Sequence, residues 1–187
     1  MHVGVLDIWR STNEGDNFSR INSWFEQTPS YTHADIHFLR YFNGDLYAGT
    51  DGGVYKSSDN GTTFTDLTKN LAISQFYKLS VAKQTSTKMS GGLQDNGGFT
   101  LINNNWHNYH GGDGMDTAVD PNDENTFYGF TQRGGSLTKT TDGGLSSITI
   151  AGSPTNETGN WVTPLVINKA GEIYAGYNQL YQLIDNN

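Results

Sequence analysis

An all-β fold of repeated four-stranded antiparallel sheets is predicted by three observations. The 187 residues include 23 glycines, 12% aromatic and only 16% charged residues, the composition of strands and tight turns packed by aromatics. No long stretch carries an apolar pattern of period 3.6, so helix content is expected to be near nil. Third, one turn sequence recurs. Ser57-Ser58-Asp59-Asn60-Gly61-Thr62-Thr63-Phe64 has degraded copies at Ser11-Thr12-Asn13-Glu14-Gly15-Asp16-Asn17-Phe18 and Thr140-Thr141-Asp142-Gly143-Gly144-Leu145, and Leu183-Ile184-Asp185-Asn186-Asn187 begins a fourth. The anchors Asn13, Asp59, Asp142 and Asp185 lie at intervals in the low to middle forties, or twice that. Four short strands and their turns occupy such a period in one blade of a β-propeller.

The repeated turn has a physical logic. Carboxylate or amide oxygens of Asp and Asn accept hydrogen bonds from backbone N–H groups just downstream and so fix a turn. Glycine at Gly61 and Gly144 supplies a positive φ without steric penalty. Val54, Lys56 and Ser58 alternate with Tyr55 and Ser57 as in a strand, and Phe64 and Leu67 resume a strand with one apolar side, so the turn joins two strands. At these residues the chain resembles the Asp-box, or BNR-type, repeat, Ser/Thr-x-Asp-x-Gly-x-x-Phe/Trp, of sialidase-like, sortilin-like and xyloglucanase-like β-propellers. Residues 57–64 match every position. The first copy has Asn13 for Asp, the third lacks the final aromatic, and the equivalent place between them holds only Leu101-Ile102-Asn103-Asn104-Asn105-Trp106. The resemblance implies that Ser57, Asp59, Gly61, Phe64, Asp142 and Gly144 form structural turns, remote from a functional site.

Taken in order, the chain divides into blade units at about 1–27, 33–70, 74–112, 113–152 and 160–187. The first unit enters in mid-blade, with a strand over 3–10, the turn, and an outer strand from Phe18 to Trp24. In the second, Asp35–Tyr41 alternates, Asn43-Gly44 signals a hairpin, and Asp45–Thr50 and Val54–Ser58 follow. Small residues in Tyr47-Ala48-Gly49 suit the region where inner strands converge, and nearly the same run returns at Glu172-Ile173-Tyr174-Ala175-Gly176. The third runs through Phe76–Ala82 and Met89–Leu93, then departs from its sisters at the polar turn Gln94-Asp95-Asn96-Gly97. Its last strand, Trp106–His110, leads into Gly111-Gly112-Asp113-Gly114-Met115-Asp116. The fourth turns at Asp120-Pro121-Asn122-Asp123. The fifth starts with a strand from Trp161 to Asn168.

About four blades' worth of strands are present, with both ends at the same blade position. A closed four-bladed ring would pair the terminal strands and remove free edges. The preferred expectation is a piece of a ring of six to eight blades, whose open blade edges would allow self-association.

Net charge is −8, and the four arginines, Arg10, Arg20, Arg40 and Arg133, are dispersed. Binding to nucleic acid or to an anionic membrane is therefore not expected. Without cysteine there is no disulfide, thiolate zinc site or thiol nucleophile. Low lysine with high Asn, Thr and Gly suits a protein secreted by, or displayed on, a bacterium, although Met1–Asp7 is not a signal peptide and no apolar run is long enough to span a membrane.

The least stereotyped region is 91–116. Its Leu-Gln-Asp-Asn-Gly turn, Trp, Gly-Gly-Asp-Gly and Asp-Pro make residues 33–145 resemble a blade of large exported propellers of the sortilin-like and xyloglucanase-like group. That resemblance implies a Gly-rich, carboxylate-bearing rim of a central cleft. In the functional reading, Asp95 and Asp113 are the acid and base of a glycoside hydrolase, for which two carboxylates at a suitable separation are required. Asp116 completes the carboxylate set, and Gln94, Asn96, Trp106, Tyr109 and His110 bind ligand, the aromatics stacking on sugar rings. The plainer account is that Asp-Gly and Asp-Asn-Gly are turn chemistry and that the aromatics pack between blades. Calcium on Asp113, Asp116, Asp120 and Asp123 is conceivable, but the spacing fits no known loop, and no metal or cofactor is expected. His107 and His110, three apart in a strand, are expected on opposite faces. The dispersed arginines also argue against a sialidase, which needs a cluster for its substrate's carboxylate. The leading expectation is an exported binding module for a glycan or protein segment. A xyloglucanase-like glycoside hydrolase and a structural repeat of a large surface protein are the alternatives.

Overall fold

A computed structural model describes residues 1–184 as five antiparallel sheets, each a meander in which sequence neighbours pair. The first sheet holds β1 (His2–Gly4), β2 (Ile8–Arg10) and β3 (Ser19–Arg20); the second holds β4 (Ile36–Phe42), β5 (Asp45–Thr50), β6 (Gly53–Ser57) and β7 (Thr65–Asp66). The third holds β8 (Phe76–Val81), β9 (Met89–Leu93), β10 (Gly97–Ile102) and β11 (Asn105–His110); the fourth holds β12 (Gly114–Val119), β13 (Phe127–Thr131), β14 (Ser136–Thr140) and β15 (Ile148–Gly152). The fifth holds β16 (Leu165–Ile167), β17 (Ile173–Gly176) and β18 (Leu180–Leu183). These are propeller-type blades, as expected. Among the described residues the only helical element is a 3-10 turn, Gln132–Gly134, and no helix is long and apolar enough to cross a membrane. The chain forms two compact units, Met1–Ile73 and Ser74–Asn187.

In the first unit, Ile8, Ile36, Ala48 and Tyr55 form a core against which Ile21, Tyr31, Leu39 and Phe64 pack. The alternation of β6 is as read: Tyr55 and Ser57 are buried, Val54 and Lys56 half-buried. In the second unit the core is Met115, Ala118, Tyr128, Phe130, Leu137, Leu165 and Ile173. Strand β9 is covered on both sides and can only be small there. A Cβ on Gly91 would sit 2.3 Å from the Phe76 ring, and one on Gly92 would sit 1.9 Å from the Met115 carbonyl oxygen.

The three complete turn motifs share one bonding scheme. Ser11, Ser57 and Thr140 hydroxyls donate to Asn13 (3.0 Å), Asp59 (2.8 Å) and Asp142 (2.9 Å). The same hydroxyls accept the N–H of Gly15 (2.9 Å), Gly61 (2.7 Å) and Gly144 (2.9 Å). The anchor oxygens then accept the N–H of Asn17, Thr63 and Ser146, four residues on. Backbone and side-chain donors of Thr63 hold the Asp59 carboxyl down at about 2, and those of Ser146 do the same for Asp142. The second and third turns also dock on the preceding sheet. Gly61 lies on Ile21 so closely that a Cβ would be 2.4 Å from its Cδ1, and Gly144 stands equally close to the Thr100 hydroxyl, which donates to the Gly143 carbonyl at 2.5 Å. The motif is therefore a staple between sheets as well as a turn. The start of the fourth copy is described only to Ile184; Asp185, Asn186 and Asn187 lie outside the described residues. Between β10 and β11 the place of the motif is taken by a tight hairpin with positive φ at Asn103 and Asn104.

Three expected strands differ from the reading. The one placed at 3–10 is a hairpin, with β1 and β2 paired antiparallel across the turn 5–7. The outer strand placed at Phe18–Trp24 is only Ser19–Arg20, because Asn22 leaves the ladder to accept the Ile8 N–H and donate to Thr32, both at 2.6 Å. The strand placed at Trp161–Asn168 begins at Leu165, since Pro164 has no N–H to pair.

Candidate functional site at the loop end of the second unit

In an antiparallel meander the connection between strands two and three and the exit of strand four fall at the same end. In the second unit this brings the β9–β10 turn (94–96), the β11–β12 link (111–113), the 3-10 turn and the loop before β16 into one neighbourhood, bonded to one another. Asp95 takes a positive φ of 59° and its N–H donates to Asp113 Oδ1 at 2.8 Å. The Asp113 N–H donates to Gln132 Oε1 at 3.1 Å. Asn108 Nδ2 reaches the carbonyls of Asn96, Gly98 and His110 at 3.1 to 3.2 Å. Glycine is required at the crossing: a Cβ on Gly97 would be 2.0 Å from the His110 carbonyl oxygen, and one on Gly114 equally close to that of Gly97.

Of the residues singled out from sequence, Gln94, Asp95, Asn96, His110 and Asp113 meet here. Asp116 lies on β12 and is spent on backbone, its two oxygens accepting the N–H of Thr117 (2.9 Å) and Leu165 (3.1 Å). Asp120 and Asp123 cap their own turn. Among the described residues no three His, Asp or Glu side chains gather to hold a metal ion.

The aromatic set divides. Tyr109 is only 4% exposed, and its hydroxyl joins Ser90 (3.2 Å) and Thr117 (3.5 Å) in a polar seam between the third and fourth sheets. Burial raises its phenol above the ordinary range. Trp106, 46% exposed, stands against Phe76 on the other face of the third sheet. Three apart in the strand, Trp106 and Tyr109 fall on opposite faces by alternation alone, but His110 departs from it at a β-bulge: His110 pairs with Gly98 and Asn108 with Phe99, leaving Tyr109 as an extra residue. Tyr109 and His110 then point the same way, both against Gly129. Since His107 faces Gly144 of the fourth sheet, the two histidines share a face, contrary to the alternation expected from sequence. The His110 Nδ1–H donates to the Gly111 carbonyl oxygen (3.0 Å), while Nε2 is buried without a partner. Burial holds its pKa below the ordinary histidine value.

Sequence reasoning missed an exposed aromatic part of this end. Trp161, 42% exposed, has the Arg133 guanidinium 5.6 Å from its ring centroid and donates from Nε1 to the Tyr77 hydroxyl at 3.0 Å. Arg133 has a positive φ of 58° in the 3-10 turn. That conformation is held by its N–H to the Trp161 carbonyl and the Gly159 N–H to its own carbonyl, both 3.1 Å. The Gly134 carbonyl accepts from Tyr177 (2.7 Å) and Ser153 (3.1 Å). The run Gln132-Arg133-Gly134-Gly135 was the available signal, a turn sequence inside a blade.

No protein-family model matches the chain, and no curated protein matches it. Among solved structures, a GH74 enzyme of Niastella koreensis is similar over 97% of this chain and 33% of its own, at 16% identity and a TM-score of 0.46. The GH74 xyloglucanase of Xanthomonas campestris is similar over 97% and 34%, at 12% identity and 0.47. YCF48 from Cyanidioschyzon merolae is similar over 97% and 64%, at 12% identity and 0.45. The chain thus spans about a third of the length of the two GH74 enzymes.

Proposed function

We propose that the chain is a binding module of an exported protein, and that it holds a carbohydrate or an extended protein segment at the loop end of the second unit. The observation that carries this reading is the Arg133–Trp161–Tyr77 group, set on a backbone conformation that costs on the order of 1–3 kcal/mol and persists only because its surroundings over-determine it. Strain of this kind collects at ligand sites, and Trp, Arg and Tyr are the side chains that dominate recognition energetics. An indole face suits the C–H surface of a sugar ring or an apolar peptide side chain, and the adjacent Gln94–Asn96 turn, Asp113 and Gln132 supply polar partners. Secretion is inferred from the composition.

The test is binding of the protein to immobilised β-glucan oligosaccharides and to a peptide array, compared with Trp161→Ala and Arg133→Gln. Loss of a truncated hot-spot side chain is expected to weaken binding by ~2 kcal/mol, about thirtyfold; retention of wild-type affinity in both variants would overturn the reading. The Asp95–Asp113 juxtaposition keeps an enzymatic second reading open. It requires turnover of xyloglucan that disappears in both Asp95→Asn and Asp113→Asn.

A further inference from the structure

We propose that the first unit carries an oxyanion-binding cleft for a small anionic ligand, a monosaccharide bearing a carboxylate or phosphate group. The cleft lies between β1, the end of β2, β4 and the Asp59 turn, and has a volume of about 270 Å³. His2, Arg10, Tyr41 and Asn60 supply its polar lining, and Leu39 and Leu46 its apolar wall. No Asp or Glu lines it, in a chain of net charge −8. Arg10 therefore stands where no carboxylate neutralises it; Arg40 alternates with Leu39 and Tyr41 and lies with Phe38 and Phe42 on the other face of β4.

Three of the other basic side chains are held in ion pairs. Arg20 lies 3.4 Å from Asp7, Lys56 is 2.6 Å from Asp45, and Lys88 is 2.6 Å from Glu124. Arg10 and Arg40 form no ion pair among the described residues. Arg10 spends one nitrogen on the Asn60 carbonyl at 3.2 Å, which orients the guanidinium and leaves further N–H groups to address an oxyanion. Asp59, next to Asn60, is turned into its own loop by Ser57, Thr62 and Thr63. Tyr41 donates to the Asn60 side chain, and the His2 ring stands 5.7 Å from the Tyr41 ring with its Nε2 buried and unpartnered.

A guanidinium fork matches the paired oxygens of a carboxylate or phosphate and is stronger for the charge it carries. The cavity volume admits a single sugar ring, whose C–H face would meet Leu39 and Leu46 while its hydroxyls meet Asn60 and Thr12. The proposal does not depend on the loop-end reading, because it concerns other residues in the other unit.

It is tested by titrating the full chain, followed by NMR amide shifts, with glucuronate, glucose 6-phosphate and glucose. Saturable shifts at Arg10, Tyr41 and Asn60 are expected with at least one of the charged sugars and not with glucose. The tighter of the two identifies the anionic group. Arg10→Gln should weaken that binding at least tenfold, and Arg10→Lys, which keeps the charge and the packing of the stem but not the fork, should recover only part of the loss. Binding of glucose as tight as that of both charged sugars, no binding of any of the three, or wild-type affinity in both variants would overturn it.

Discussion

Replacing Thr140 by Val tests whether the repeated turn is a staple or merely a loop. The Thr140 hydroxyl is buried, accepts the Gly144 N–H at 2.9 Å and donates to Asp142 at 2.9 Å. Valine keeps the shape and removes both bonds. Water readily replaces the bond lost by the exposed carboxylate, but the buried Gly144 N–H is left without a partner, which costs about 1–3 kcal/mol. The expected loss is therefore ~2 kcal/mol, or roughly 8 °C in melting temperature for a unit of this size. Urea unfolding followed by tryptophan emission should show a lower midpoint with an unchanged slope. Thr140→Ser should restore most of the loss, and Ser57→Ala, which orphans the Gly61 N–H, should produce a similar loss in the first unit. A Thr140→Val protein within about 0.5 kcal/mol of wild type would refute the reasoning, since surface changes of no structural meaning fall in that range.

Further outcomes follow from the same contacts. Asp142 is held at about 2 against an ordinary 3.8, so the stability it contributes is complete above 3.8 and is lost as pH falls toward 2; Asp142→Asn should flatten that part of a melting-temperature profile. His110 has a lowered folded pKa, so its stabilising influence is complete above the ordinary 6.5 and is lost as pH falls through the lower folded value. NMR titration of the ring should give a midpoint below the ordinary 6.5, and an ordinary titration would contradict the burial of Nε2. Phe130, 2% exposed in the second core, should cost about 3–5 kcal/mol on truncation to alanine, read by urea unfolding. Gly92→Ala places a Cβ 1.9 Å from the Met115 carbonyl oxygen, a backbone contact that no rotamer relieves, and should reduce the yield of folded protein more than Gly111→Ala, whose Cβ meets nothing within 4 Å.

What was legible in the sequence was local. Asp59 and Asp142 announce their turns because the side chain bonds backbone only a few residues away, and Asn43-Gly44 announces a hairpin because both residues take positive φ, at 49° and 89°. Strand β6 could be read because its buried face alternates. The bulge at Tyr109 could not, because it is a matter of register against Gly98 and Phe99 on another strand, and it reversed the side of the sheet assigned to His110. Trp161 was placed in a strand by its apolar character, although the loop ending at Pro164 presents it beside Arg133. The cleft around Arg10 depends on β1 lying against β4, a contact between distant stretches of the chain that no spacing rule conveys. Of the candidate site, the Gln94–Asn96 turn and Asp113 were found because they break the pattern of their sister blades. Tyr109 and Trp106 were misgrouped although their spacing of three in one strand puts them on opposite faces.

The claim on which the functional account rests is that Trp161 forms part of the ligand surface. A protein retaining Trp161 as its sole tryptophan, with Trp9, Trp24 and Trp106 replaced by Phe, allows that claim to be read directly from emission during titration with an oligosaccharide or peptide that the wild type binds. Saturable quenching or a blue shift, at concentrations matching the calorimetric Kd, is the predicted result. Calorimetric binding with unchanged Trp161 emission would contradict it.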